Sequence, residues 1–458
     1  MSGPEIGIIE STPDCSAIGC QESIFSIGRT VNMIIGLVYL ITFRQVYWSY
    51  ISLEWGYTGL IYSDLNFYEL SFIYLSVAIV SLFLPSKFNR PSSIIIWFMY
   101  AFLYVPTMAI TMMIGAKGAG EYIPSLASFS IGFLLICHIT NKSHVENPSD
   151  GFEPGYLLVS VIAILFALST VVIWYVFNDI MTFAGIDDVY VQRFVAADRT
   201  VGVTGYLRTY YGSIFAPLLI AIGAARPSRW PLVILGILGM IMSYMVDASK
   251  ISLVIPLAML VTAAAFRWSG LKLYHFTAGM VMICLVSALL TSSTRFVRFL
   301  ADLILLRSIS IPAQTFAQYY DVFSVKGYTW WSNLSGLNLI LPPPATFRLD
   351  QFWPVLGQIV GAEYYGFYSR VNLNANPFVG EGVAAASWFG VLVISIVLAF
   401  YLKFLDQLSA KWNRQLVLVL MVPVGLTLTN VHLSTFLVSF GGLAWLALFR
   451  FYGPRGEV

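Results

Sequence analysis

Hydrophobic residues along this chain come in unbroken blocks near 20 residues long, without the period-two alternation of a barrel strand. The blocks lie at roughly 28–47, 68–84, 92–114, 122–139, 154–177, 208–225, 230–247 and 249–266, then 273–292, 383–405, 415–431 and 433–450. About 20 helical residues cross a hydrocarbon core about 30 Å thick. Backbone amides find no water there, so each block must close its own hydrogen bonds as a helix. The pattern predicts an all-α polytopic integral membrane protein with about 12 transmembrane helices. Tight polar turns, Asp247-Ala-Ser-Lys250 and Thr429-Asn430-Val431-His432, separate two of the consecutive pairs.

Composition agrees with lipid as the solvent. The chain is 58% hydrophobic and 10% charged, with a mean hydropathy of +0.78, whereas soluble domains carry about 25% charged residues. A single soluble core of 458 residues could not hide that much apolar surface. A net charge of +2 gives no sign of a nucleic-acid partner. Cys15 and Cys20 lie in a polar N-terminal tail and Cys137 and Cys284 inside apolar blocks, which builds neither a disulfide framework nor a metal site. The first 25 residues carry Glu5, Glu10, Asp14 and Glu22 without a basic leading region, so they do not read as a cleavable signal peptide.

The short loops set the orientation. Those at 85–90, 141–142, 226–229, 267–272 and 403–414 are basic and fall on one side, which the positive-inside rule makes cytoplasmic. Both termini are then cytoplasmic. The chain divides into a bundle over 1–292 with outer loops near 48–67 and 178–207, a large outer loop over 293–382, and C-terminal transmembrane helices over 383–458. Within the large loop, Phe296, Phe299, Leu300, Leu303 and Ile304 recur at helical spacing between Arg295, Arg298 and Arg307. That pattern predicts an interfacial helix near 295–310. Tyr328-Thr-Trp-Trp331 and Leu341-Pro-Pro-Pro344 suit either an aromatic belt at headgroup level or a sugar-stacking platform.

Charge on the outer face carries the functional signal. Of the 25 lysines and arginines, 12 fall outside by this assignment, although short outer loops are usually poor in them. Arg208, Lys250, Arg295 and Arg298 sit where an apolar block meets a loop. There a guanidinium fork suits phosphate oxygens, and a lipid diphosphate would place its head against the cations and its tail in the bilayer. The competing account pairs them with Asp198, Asp247 and Asp302, or with lipid phosphates. Asp247 and Lys250, three residues apart, could neutralise each other across a turn. The stretch Asn372 to Gly382 gathers amides, Glu381 and glycines before a block opening Ala-Ala-Ala-Ser-Trp-Phe-Gly390. It suits sugar hydroxyls, or simply a helix cap. His432 is a lone histidine. Phosphate-binding glycine loops, His-Glu-x-x-His, Gly-x-Ser-x-Gly and Asp-x-Asp are absent from the sequence. Glycosyl transfer here would then be metal-independent, need no cofactor and use a lipid-linked donor.

The layout resembles the Wzy-type O-antigen and exopolysaccharide repeat-unit polymerases over about residues 180–400. The similarity rests on the large outer loop before the last spans, Arg208-Thr-Tyr-Tyr-Gly212, Ser249-Lys250, Ile311-Pro-Ala-Gln, Tyr319-Tyr-Asp-Val-Phe-Ser324, Asn374-Ala-Asn376 and Trp388-Phe-Gly-Val391. The resemblance implies a GT-C-like fold in the bacterial inner membrane and undecaprenyl-diphosphate-linked oligosaccharides as donor and acceptor. It also implies membrane lipid and a chain-length regulator as partners, and periplasmic transfer with inversion. Arg199, Arg208, Lys250, Arg295 and Arg298 would hold the diphosphate. Glu381 or Asp198 would accept the acceptor's proton. Tyr319, Tyr320, Arg370, Asn374 and Asn376 would position sugars. The related O-antigen ligases place a histidine where alignment on Gly390 puts Asn376, and asparagine cannot act as a base, which weakens the ligase alternative. A transporter or flippase is the other alternative; it would concentrate charge at the membrane midplane, where these blocks have almost none.

Overall fold

The computed structural model describes residues 27–453 apart from 115–117, 143–144, 184–188, 201, 250, 268–272, 291–297, 300 and 370. Lys250, Arg295 and Arg370 therefore lie outside the described residues, as do Cys15, Cys20 and the acidic tail. The described residues form helices joined by loops, with no strand and one isolated bridge between Phe152 and Trp412. The first half comprises α1 (Ile27–Thr58), α2 (Phe67–Phe83), α3 (Pro91–Ile114), α4 (Ala119–Asn141), α5 (Tyr156–Phe177), α6 (Val189–Arg199), α7 (Val203–Ala225) and α8 (Pro227–Asp247). There follow α9 (Ile251–Arg267), α10 (Tyr274–Leu289), α11 (Asp302–Ser310 running into Ile311–Lys326), α12 (Leu356–Tyr365), α13 (Phe378–Ser409), α14 (Arg414–Leu428) and α15 (Leu433–Tyr452).

Each apolar block falls on one of these helices. Eight, namely α1, α3, α4, α5, α7, α8, α13 and α15, are long and apolar enough to cross a membrane. The four at α2, α9, α10 and α14 have 10–17 residues. Burial explains how a short one fits: α14 is buried from Leu416 to Leu426 and packs along α3, itself hydrophobic and buried on every side. A helix apolar all round belongs in a core. By contrast α5 buries only the stripe Leu158, Ile162, Phe166, Ser169, Ile173 and Phe177 and exposes Ile164, Leu168, Val171 and Trp174. That outward face is what hydrocarbon accepts and water does not.

Prolines explain three of the four wide turns among the described residues, the one at Tyr47–Ile51 having none after it. Wide π turns at Tyr100–Tyr104, Tyr211–Phe215 and Asp302–Ser310 end two residues before Pro106, Pro217 and Pro312. A helical proline lacks an amide hydrogen and crowds the carbonyl four residues back, and widening the preceding turn relieves both.

The loops sort to two ends. At one, Ser92 donates from its amide and hydroxyl to the buried Asp406 (2.8 and 2.6 Å), Asn413 reaches the Ser149 carbonyl, and Arg229 the Pro154 carbonyl. These are the short basic loops. The opposite end gathers the 54–58 end of α1, the start of α9 and the long segment between α10 and α13. Where an interfacial helix is expected near 295–310, the described part is a bundle element: Leu305, Leu306, Ile309 and Ser310 are buried and α11 packs on α3 and α13.

The block predicted as one span over 383–405 is two pieces. Ala386 and Ser387 leave helical geometry, Ser387 at φ +52°, so a short buried helix over 378–385 turns back against the crossing helix that follows. Gly382 and Gly390 make the turn possible: a Cβ on Gly382 would lie 2.8 Å from the carbonyl of Gly390. The amides of Thr329 and Trp330 cap the short helix at the carbonyls of Ala384 and Ala385, 2.9 and 3.0 Å away.

Candidate functional site

A cavity of about 620 Å³ opens at the end where the long segments gather, between α7, α8, α9, α11 and α14. Arg193, Arg208, Arg298 and Arg307 line it together with Asp247 and Asp302. Leu303, Leu306, Ile255, Met240 and Leu426 line it as well. A wall of that kind matches an amphiphile with an anionic head.

Each charged group is held by its own element. Arg193 reaches from α6 to the carbonyls of Asp247 and Ala248 (3.2 and 3.3 Å), capping α8 where its last carbonyls would otherwise face a cavity. Asp247 accepts from the amide of Ser249 at 2.9 Å, and the charges of Arg208 and Arg193 act on it. Arg298 pairs with Glu54 at 3.0 Å, tying the end of α1 to the segment before α11. Asp302 accepts from the Tyr50 hydroxyl (2.7 Å) and the Trp55 indole (3.1 Å). Four guanidinium groups against two carboxylates leave the lining cationic, which draws anions into a low-dielectric recess.

Arg208 and Arg298, expected to hold a diphosphate, meet here. Lys250 falls between the lining residues Ser249 and Ile251. Arg199 points elsewhere: it pairs with Asp179 on the exposed surface, and that contact holds the Asp179 carboxyl below its ordinary range. Asp198 is exposed beside it. Arg193 and Arg307 were visible among the outer cations, but charge alone does not say which face of a helix turns inward. Asp247 and Asp302, read as neutralising partners, are the carboxylates that reach the cavity.

Glu381 is placed behind that wall. It is 2% exposed and its Oε2 accepts from the amide of Ser434 at 3.2 Å. Asn376, also buried, contacts Nε2 of His432 through Nδ2 at 2.9 Å, and Tyr319 stands edge-on to the imidazole. Burial pushes His432 down to about 4, so it is neutral at physiological pH. The hydroxyl of Tyr319 donates to the Leu373 carbonyl (3.2 Å), and burial pushes its titration up. Tyr320 turns away to donate to the Glu121 carbonyl (2.8 Å), and Asn374 is exposed. Of the residues expected to position sugars, the fold brings together Tyr319 and Asn376 and separates Tyr320 and Asn374 from them. Among the described residues no three His, Cys, Asp or Glu side chains are grouped to hold a metal. No family model, curated protein or solved structure matches this chain.

Proposed function

We propose that this protein polymerises undecaprenyl-diphosphate-linked oligosaccharide repeat units at the periplasmic face of a bacterial inner membrane. The observation that carries the reading is the cavity, which sets four arginines beside apolar helix ends. A polyprenyl diphosphate has that division of charge and grease. Counting the four shorter helices with the eight long ones gives twelve crossings. The basic short loops support a topology with both termini in the cytoplasm and the cavity outside.

In the proposed reaction Arg193, Arg208, Arg298 and Arg307 hold the donor diphosphate, with Lys250 and Arg295 on the same stretches of chain. The acceptor hydroxyl oxygen bonds to the donor's anomeric carbon as the carbon–oxygen bond to the diphosphate breaks. The electron pair leaves with the diphosphate, where the guanidinium groups stabilise it. One displacement inverts the configuration. The proton passes to Asp247, the carboxylate set among the arginines. Asp198, exposed beside Arg199, and Glu381, turned to Ser434 behind the wall, are left out of the chemistry.

Gene deletion with gel analysis of surface glycans tests the reading. The expected mutant carries single repeat units. Loss of all glycan from lipid A would make the protein a ligase, and failure to deliver repeat units across the membrane a flippase. Orientation is tested separately. Leu349 is 97% exposed in the long segment, whereas Ser332 in the same segment is 1% exposed and a poor probe. In a background without the native cysteines, Leu349→Cys should react with a membrane-impermeant thiol reagent in intact spheroplasts. Labelling only after lysis would invert the topology.

A further inference from the structure

The proposed chemistry leaves the buried acid beside the cavity, Glu381, unused. Oε2 of Glu381 takes the Ser434 amide hydrogen, but Oε1 has no hydrogen-bond partner among the described residues. Oδ1 of the buried Asn376 has none either. Both are acceptors, and no cation is within ion-pair distance of Glu381 among the described residues. The start of α15 turns the Leu433 and Ser434 amides and the Ser434 hydroxyl toward it, but burial outweighs these donors and no neighbouring element supplies a cation. Helix α11 presents Tyr319, whose hydroxyl is spent on Leu373. The turn before α15 presents the neutral His432. Helix α4 contributes Phe129 against Phe378; of its titratable groups, Tyr122 donates to Asp321, Glu121 is exposed at the outer end, and Cys137 and His138 lie at the far end. The amides of 329 and 330 are used on Ala384 and Ala385. A carboxylate buried there without a counter-cation is disfavoured by desolvation, and taking up a proton removes that cost.

The place of this acid links it to the cavity. Ala375 lines the cavity and the next residue is Asn376; Asn430 and Val431 line it and the next is His432. The Asn376–His432 and Glu381–Ser434 contacts therefore fasten together the two chain segments that form this part of the wall.

We propose that Glu381 carries a proton as a neutral carboxylic acid in the resting protein, and that this proton regulates anion binding by keeping the 375 and 430–431 wall in place. Uptake is simple acid–base chemistry: the carboxylate and a solvent proton give the acid, which can donate from the otherwise unpartnered oxygen. Ionisation leaves an unpaired charge behind the wall and loosens it. The neutral form predominates at lower pH, so the stabilisation is present there and is lost as pH rises through the titration of the buried acid. The regulatory part rests on the cavity being an anion site; the protonation does not.

Infrared spectroscopy of the purified full-length protein, paired with calorimetric titration of inorganic pyrophosphate, tests both parts. At neutral pH the spectrum should show a protonated-carboxyl C=O band that Glu381→Gln removes. Pyrophosphate affinity of the wild type should fall by about tenfold from neutral to alkaline pH, while the Gln variant, a permanent mimic of the acid, holds its affinity. Absence of a band assignable to Glu381 overturns the protonation. Equal pH dependence in the two proteins overturns the regulation. Pyrophosphate that binds neither protein at any pH sinks the anion-site reading and the regulation with it, and the band still decides the proton. Should the variant not fold, the wild type alone suffices: its band must vanish over the alkaline range in which affinity falls, and a band that persists there overturns the switch.

Discussion

Arg208→Ala should lower the rate of the proposed polymerisation by about 100- to 1000-fold, the range seen when one charge-stabilising donor is taken from a transition state. Arg208 enters the cavity just ahead of the π turn at Tyr211–Phe215, and no ion pair engages it among the described residues. Arg298 is already paired with Glu54 and half exposed, so its loss should cost less. Arg208→Lys keeps the charge and loses the planar fork, which should give an intermediate rate. Arg199→Ala is the control, because that side chain lies on the exposed surface with Asp179, outside the cavity. The measurement is chain growth from purified lipid-linked repeat units in proteoliposomes, with insertion checked by yield and size-exclusion profile. Full chain length from well-inserted Arg208→Ala would remove the cavity as the donor site.

The contrast between Arg199 and Arg193 shows where the sequence stops informing. Both are outer arginines on α6, six residues apart. At 3.6 residues per turn six positions leave the two side chains on different faces, so one caps α8 at the cavity and the other meets Asp179 outside. Choosing between them requires the neighbouring helices. The apolar blocks are different. Their helices follow from backbone hydrogen bonding in lipid, whatever their neighbours, and each block does fall on a helix. The short loops also meet at one end, as their shared basic character suggests.

Glu381 was legible as an acid between two glycines but not as a buried one. The apolar block runs unbroken from Val383 through the reversal into the crossing helix, and the reversal at Ala386 and Ser387 involves neither proline nor glycine. Its only trace in the sequence is the pair Gly382 and Gly390, whose meaning depends on a contact that no local pattern encodes. The same fold-back buries Ser332, since the amides of 329 and 330 must reach the end of the short helix. Two arginines of the cavity were thus recognised from where they sit along the chain, while its carboxylates had to be found in space.

Gly390→Ala should destabilise the fold by about 3 kcal/mol. A Cβ there would collide with the carbonyl oxygen of Gly382, and Gly382 cannot withdraw without moving the helix whose far end is capped by 329 and 330. Backbone stands on both sides of the contact, so no rotamer change relieves it. The short helix carrying Glu381 would be displaced, and with it the contacts to Ser434 and His432 behind the cavity. Gly279→Ala is the matched comparison. That glycine is inside α10 with open space around its missing Cβ, so alanine should stabilise the helix by up to about 1 kcal/mol. Thermal melting of the two variants in the same detergent separates the outcomes: the midpoint should drop sharply for Gly390→Ala and hold or rise for Gly279→Ala. A Gly390→Ala protein melting with the wild type would mean that 378–385 does not fold back on the crossing helix, and would remove the packing that hides Glu381.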